Sequence, residues 1–192
     1  MKVAAVLLAA GSASRFGSDK LLHALPHRVP IAIQSARHLK KDLERVLAVM
    51  RPGAAELQKL LEKEGIETVV CERADEGMGA SLACAVRAAG DVDGYLIALA
   101  DMPFIRPSSI EAVRDALLNG APLAAPYFRA RRGHPVGISA AFRKEMEQLT
   151  GDEGARKILA RHADKLVKIP VGDPGVVRDI DRPSDLAPPL VV

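Results

Sequence analysis

Two runs in this chain, "KVAAVLLA" at 2–9 and "GYLIALA" at 94–100, are apolar on consecutive residues. A strand with one wet face alternates apolar and polar positions, so an unbroken run this short predicts a strand covered on both sides. Parallel strands at the centre of an α/β sheet meet that condition. "RVLAVM" (45–50) and "IETVV" (66–70) read as two further strands. Residues 29–40, 53–64 and 78–89 carry helical spacing between them, as does "PSSIEAVRDALLNG" (107–120), which opens on Pro107 and stops at Asn-Gly. Further on, "APLAAPYF", "PVGISA" and "LVKIPV" predict strands, with helices near 140–149 and 153–163. Strands alternating with helices from the first residues predict a doubly wound α/β/α sandwich. With no internal repeat or linker, residues 1–192 read as a single domain, and 187–192 as a loose tail.

Bulk properties narrow the partners. A net charge of +3 and an aromatic content of 3% leave room for a local basic site. They supply neither the concentrated basic face nor the stacking platforms of nucleic-acid binders. Cys71 and Cys84 have no metal or redox spacing and read as reduced thiols. The short apolar N-terminus reads as a strand, and nothing is long enough to span a bilayer. The expectation is a soluble, cytoplasmic protein without nucleic-acid or membrane partners.

The first strand runs into "AAGSASRFGSDK" (9–20). Ligands of open α/β sheets bind beyond the carboxyl ends of the central strands. Gly11 and Gly17 permit tight bends whose N–H groups can cradle phosphate oxygens. Arg15 can clamp phosphate through two parallel bonds, and Lys20 adds a point charge. The stretch is not a P-loop, because Ser18-Asp19 separates Gly17 from Lys20, and Ala13 breaks the dinucleotide fingerprint. Its competitor is an ordinary strand-to-helix turn with solvated Arg and Lys.

In "LIALADMPFI" (96–105), Asp101 follows a buried strand and precedes a proline bend, which suits a magnesium ligand shared with substrate phosphates. A turn or cap aspartate is the competing reading. In "VVRDIDRPSDL" (176–186), Asp179 and Asp181 alternate about Ile180 and can share one face of a strand end, completing a metal site, or Asp181 can cap a short helix. "FRARRGHPV" (128–136) concentrates Arg129, Arg131 and Arg132 before a Gly-His-Pro bend. Such a local field suits an anionic partner, although a solvated hairpin has the same composition. His23, His27, His38 and His162 have no ligand spacing and read as surface residues.

Taken in order, "LLAAGSASRFGSDKLL", "LADMPFI", "RGHPVGIS", "GDEGARKIL" and "DIDRPSDL" resemble the nucleotidyltransferases related to molybdenum cofactor guanylyl- and cytidylyltransferases. The resemblance covers roughly residues 3 to 186. It implies a Rossmann-like three-layer α/β/α sandwich with a mostly parallel sheet, as in the nucleotide-diphospho-sugar transferases. It also implies that Leu8, Ala9, Ala10, Gly11, Arg15 and Lys20 hold the nucleotide, and that Asp101 holds Mg2+; Asp181, from the alternation above, can complete that site. "EGMGASLACAV" (76–86) resembles a segment that lines the nucleotide site through Gly79 and Ser81 at a helix N-terminus. Ala10, where the guanylyl branch carries a glycine, is similar to the cytidylyl branch and implies CTP. Arg131, Arg132 and His134 fall to the acceptor, a molybdopterin-type cofactor, and a client molybdoenzyme enters as a further partner. "HALPHRVPIAIQSAR" (23–37) departs from the pattern, with His27-Arg28 where relatives have glycines. The implied reaction is transfer of CMP to the molybdopterin phosphate with release of pyrophosphate. A guanylyltransferase, a sugar- or alcohol-phosphate nucleotidyltransferase, and a non-catalytic carrier of the finished cofactor stay open beside it.

Overall fold

In the computed structural model, which describes residues 1–11 and 20–186, the apolar runs become the spine of one sheet. Its strands are β1 (Val3–Ala9), β2 (Arg45–Met50), β3 (Glu67–Val70), β4 (Gly94–Leu99), β5 (Leu123–Phe128), β6 (Arg131–Arg132), β7 (Val136–Ser139) and β8 (Leu166–Pro170). The helices are α1 (Ile31–Asp42), α2 (Ala55–Lys63), α3 (Met78–Ala89), α4 (Pro107–Leu118), α5 (Arg143–Glu147) and α6 (Ala155–Arg161). The expected tail at 187–192 lies outside the described residues.

The strands run in the order β3-β2-β1-β4-β7-β5. β1 pairs in parallel with β2 and β4, and β2 with β3. β7 runs antiparallel between β4 and β5, while β8 lies parallel to β5. β6 is a two-residue extension that pairs antiparallel with the end of β5. It has no periodicity of its own and no counterpart in the sequence reading. The chain order reverses between β1 and β4, which opens a crevice at their carboxyl ends.

The consecutive apolar residues divide between two layers, as period-two geometry requires. Ala5, Leu7 and Ala9 of β1, with Leu96 and Ala98 of β4, pack under α1, α2 and α4, meeting Ile33, Leu39, Leu57, Leu61 and Val113. Val6 and Leu8, with Tyr95 and Ile97, pack under α3, α5 and α6, meeting Leu82, Val86, Met146 and Ile158. Both faces of the central strands are therefore dry, and truncating a side chain such as Leu7 to alanine costs about 2–5 kcal/mol. Both cysteines are free thiols. No helix among the described residues is long and apolar enough to cross a membrane.

The predicted helix at 140–149 is shorter than its spacing suggested. A 3-10 turn at Ala140–Phe142, capped by Ser139 accepting from the Ala141 N–H, precedes α5. Two of the histidines read as surface residues have partners inside the fold. His38 meets the Gln34 amide, which also meets His27, and burial holds its pKa below the ordinary value. The His162 ring pairs with Glu145.

Candidate active site

The parallel register brings Leu8 opposite Leu99, and the Ala100 N–H donates to the Leu8 carbonyl at 3.1 Å. The two strands end level with each other, and the next residue after Ala100, Asp101, turns into the crevice. Lys20 returns to the same place at the head of a 3-10 turn, Lys20–Leu22, anchored by the buried Leu21. Its Nζ donates to Asp101 Oδ2 at 2.8 Å and to Asp181 Oδ1 at 3.4 Å. Burial lowers the Lys20 pKa, but the hydrogen bonds and charges of Asp101 and Asp181 outweigh it, so the ammonium is held charged.

Asp101, Asp179 and Asp181 each offer a carboxylate oxygen within 4.8 Å of the others. Three carboxylates against one ammonium leave a strongly negative locus. An all-oxygen donor set of this kind fits a hard divalent cation such as Mg2+ or Mn2+. Asp179 and Asp181 reach it from a loop instead of the strand end expected from their alternation. Ile180 between them is fully buried, and its N–H donates to the Asp101 carbonyl at 2.9 Å. Asp185, inside the following 3-10 turn Pro183–Leu186, accepts from the Asp181 and Arg182 N–H groups.

A cleft of about 820 Å³ opens beside this locus. Leu8, Ala10, Gly11, Lys20, Ser81, Asp101 and Asp181 line it, so most of the nucleotide set read from the sequence converges on one space. Arg15 lies outside the described residues. Ala9 and Gly79 do not line the cleft. The Ala9 methyl points into the core on the α1 side, following the strand alternation. Gly79 is pressed against the 150–151 turn: its N–H donates to the Gly151 carbonyl at 2.6 Å, and a Cβ there would stand 2.6 Å from the Thr150 carbonyl oxygen.

Arg51, Glu72, Asp75, Met78 and Asp152 also line the cleft and were missed by the sequence reading. Their only local signal is position after a strand or at a helix start, which many solvated residues share. Asp152 belongs to "GDEGARKIL", and the structure explains why that stretch and "EGMGAS" occur together. A Cβ on Gly77 would collide with the Asp152 carboxylate and the Gly151 backbone, and one on Gly154 would press on Met78. The two stretches fit together through their glycines.

Arg131 and Arg132 are exposed on β6, and among the described residues neither has a carboxylate partner. His134 is placed differently. The residue is only partly buried overall, but its Nδ1 is sealed from solvent without a hydrogen-bond partner. Burial lowers its pKa to about 4, against a backbone hydrogen bond to Ile97 that raises it.

The chain is 29% identical over 191 residues to the purine catabolism protein PucB of Bacillus subtilis (strain 168), covering 94% of this chain and 92% of that one. It is equally 29% identical to nicotine blue oxidoreductase of Paenarthrobacter nicotinovorans, covering 93% and 92%. A probable molybdenum cofactor guanylyltransferase of Pyrococcus horikoshii is 28% identical, covering 88% of this chain and 84% of that one. Among solved structures, Rv0371c of Mycobacterium tuberculosis in complex with manganese superposes with a TM-score of 0.81 at 20% identity over 96% of each chain, a likeness of fold. The sequence model for the MobA-like NTP transferase domain matches residues 5–166, and to that family of nucleotidyltransferases this chain belongs.

Proposed function

We propose that the protein transfers CMP from CTP to the terminal phosphate of a molybdopterin-type acceptor and releases pyrophosphate. The observation that carries this reading is the Lys20 ammonium set among Asp101, Asp179 and Asp181 at the carboxyl ends of β1 and β4, beside a cleft of nucleotide size. An acceptor phosphate oxygen bonds to the α-phosphorus of the nucleotide as the bond to the β-phosphate bridging oxygen breaks. The acceptor is already anionic at neutral pH, so no strong general base is required, and positioning with charge stabilisation supplies the rate.

Lys20, with Arg15, holds the β- and γ-phosphates and stabilises the leaving pyrophosphate. Lys20 exchanges carboxylate partners for phosphate oxygens when the triphosphate arrives. Asp101 and Asp181, joined by Asp179, would hold Mg2+, which when bound neutralises charge on the reacting phosphates. A structural neighbour crystallised with manganese supports a divalent cation in this fold. Leu8 borders the nucleotide from β1, Ala10 and Gly11 do so just beyond its end, and Ser81 does so from α3. Arg131 and Arg132 offer the acceptor phosphate an exposed cationic edge.

Ala10 supports a pyrimidine base, because its methyl narrows the wall where the guanylyl branch has hydrogen. The relative named as a guanylyltransferase keeps GTP as the alternative. One assay decides: purified protein with Mg2+, molybdopterin and each of the four NTPs, with pyrophosphate measured. CTP-dependent release is expected. GTP-dependent release moves the base assignment, and no release with any NTP overturns the transferase reading.

A further inference from the structure

The segment 173–181, which carries Asp179 and Asp181, belongs to no strand or α-helix, yet it is fixed at four points. Asp173 is buried and accepts hydrogen bonds from the Arg106 N–H and the Ser109 hydroxyl, both at 2.8 Å, and from the Gly175 N–H at 2.9 Å. Gly175 lies so close to the Phe104 carbonyl that a Cβ would fall on it. Ile180 is tied to the Asp101 carbonyl. The fourth point is the Gly-His corner. The His134 N–H donates to the Val176 carbonyl at 2.8 Å, and a Cβ on Gly133 would fall on that same oxygen and stand 2.7 Å from Val176 Cβ and Cγ2. Val176 itself is fully buried.

We propose that the Gly133–His134 corner is a positioning element for the metal-binding carboxylates: its contact with Val176 sets where Asp179 and Asp181 stand relative to Asp101. The inference rests on the reading of these three aspartates as a cation site. The corner touches the backbone three residues before Asp179, next to the exposed Arg131 and Arg132 that the proposed function gives to the acceptor. Carboxylates on a loop repel one another and hold a shared geometry only if the backbone is constrained. The glycine is required because the Val176 carbonyl occupies the space of a side chain.

The test is Mn2+ alone titrated into the full chain, with free Mn2+ followed by electron paramagnetic resonance, on wild type, Asp101→Asn, Gly133→Ala and Val176→Ala. Gly133→Ala should weaken Mn2+ binding by about 10- to 100-fold, the range seen when a supporting residue behind a metal ligand is lost. Its pyrophosphate release should recover at high Mg2+ with KM for CTP unchanged, a rescue that a merely misfolded variant would not give. Val176→Ala loosens the same contact without adding an atom, so it reads the inference even where Gly133→Ala does not fold, and it too should bind Mn2+ more weakly. Wild-type Mn2+ affinity in the variants at 133 and 176, beside a loss in Asp101→Asn, overturns the positioning role alone. Wild-type affinity in Asp101→Asn overturns the cation-site reading beneath it.

Discussion

The two walls of the cleft are built by opposite means. On the β4 side the wall is charge: three carboxylates and one ammonium, brought together from positions 20, 101, 179 and 181. On the α3 side the wall rests on close backbone packing behind it: Gly77, which lines the cleft, and Gly79 beneath it are pressed against Thr150, Gly151 and Asp152, with Gly154 against Met78. Mutual repulsion works against the first, so it depends on Lys20 and on pinned main chain. The second depends on volume, since no side chain fits where the two turns meet. Chemistry and stability are thus concentrated on different walls, and substitutions should separate them.

The largest expected effect is on the charged wall. Asp101→Asn keeps shape and the backbone contact to Ile180, so the fold should survive. Turnover should drop by about 10²- to 10³-fold, the usual cost of removing one group that stabilises developing charge. Pyrophosphate release and urea unfolding measured side by side check both halves, and normal turnover would take Asp101 out of the charged wall.

Acidification comes next. His134 is partly buried, with its Nδ1 sealed from solvent, and burial lowers its pKa to about 4 against an ordinary value of 6.5. The unfolded chain therefore takes up a proton that the folded one refuses. Stability contributed this way is unaffected above pH 6.5 and falls as pH drops toward 4, by about 1.4 kcal/mol per unit. His38, lowered by burial as well, adds to the same slope. Urea midpoints at pH 7 and 5 measure it, and His134→Gln should flatten it; an unchanged slope in that variant places the effect elsewhere.

Gly79→Ala tests the backbone wall. The added methyl has nowhere to go between α3 and Thr150, so unfolding free energy should fall by about 1–3 kcal/mol. Mn2+ binding should stay near wild type, and a loss of Mn2+ affinity equal to that of Asp101→Asn would erase the distinction between the walls.

The smallest effect belongs to Ser81→Ala. Its hydroxyl makes only a long 3.4 Å bond to the Gly77 carbonyl, so stability should change by about 0.5 kcal/mol. If Ser81 touches the nucleotide, KM for CTP should rise by about three- to tenfold, the worth of one hydrogen bond. An unchanged KM would return Ser81 to a packing role.

The sequence carried the central sheet well, because consecutive apolar residues have few alternatives to a strand covered on both faces. It also carried Lys20 and Asp101, which flank strand ends where the topology forces proximity. Asp179 and Asp181 were legible as a pair but not as a loop, since alternation about a buried Ile180 looks the same in both. The fit of "EGMGAS" to "GDEGAR" was not legible, because it depends on close approach between turns about seventy residues apart, and spacing along the chain carries no trace of that. Ala9 was misplaced for a simpler reason: neighbouring residues on a strand face opposite layers, and only Leu8 and Ala10 of that stretch turn toward the cleft.

The position of Asp179 and Asp181 has a consequence for biosynthesis. The family match ends at residue 166, thirteen residues before the first of them. A chain emerging from the ribosome has β1 through β7 and α1 through α6 in hand before these two carboxylates appear. Its early core can assemble without bringing three like charges together, and Lys20 meets Asp101 alone until late. The nascent domain is therefore spared its most repulsive contact until the segment that carries Asp179 and Asp181 has been made.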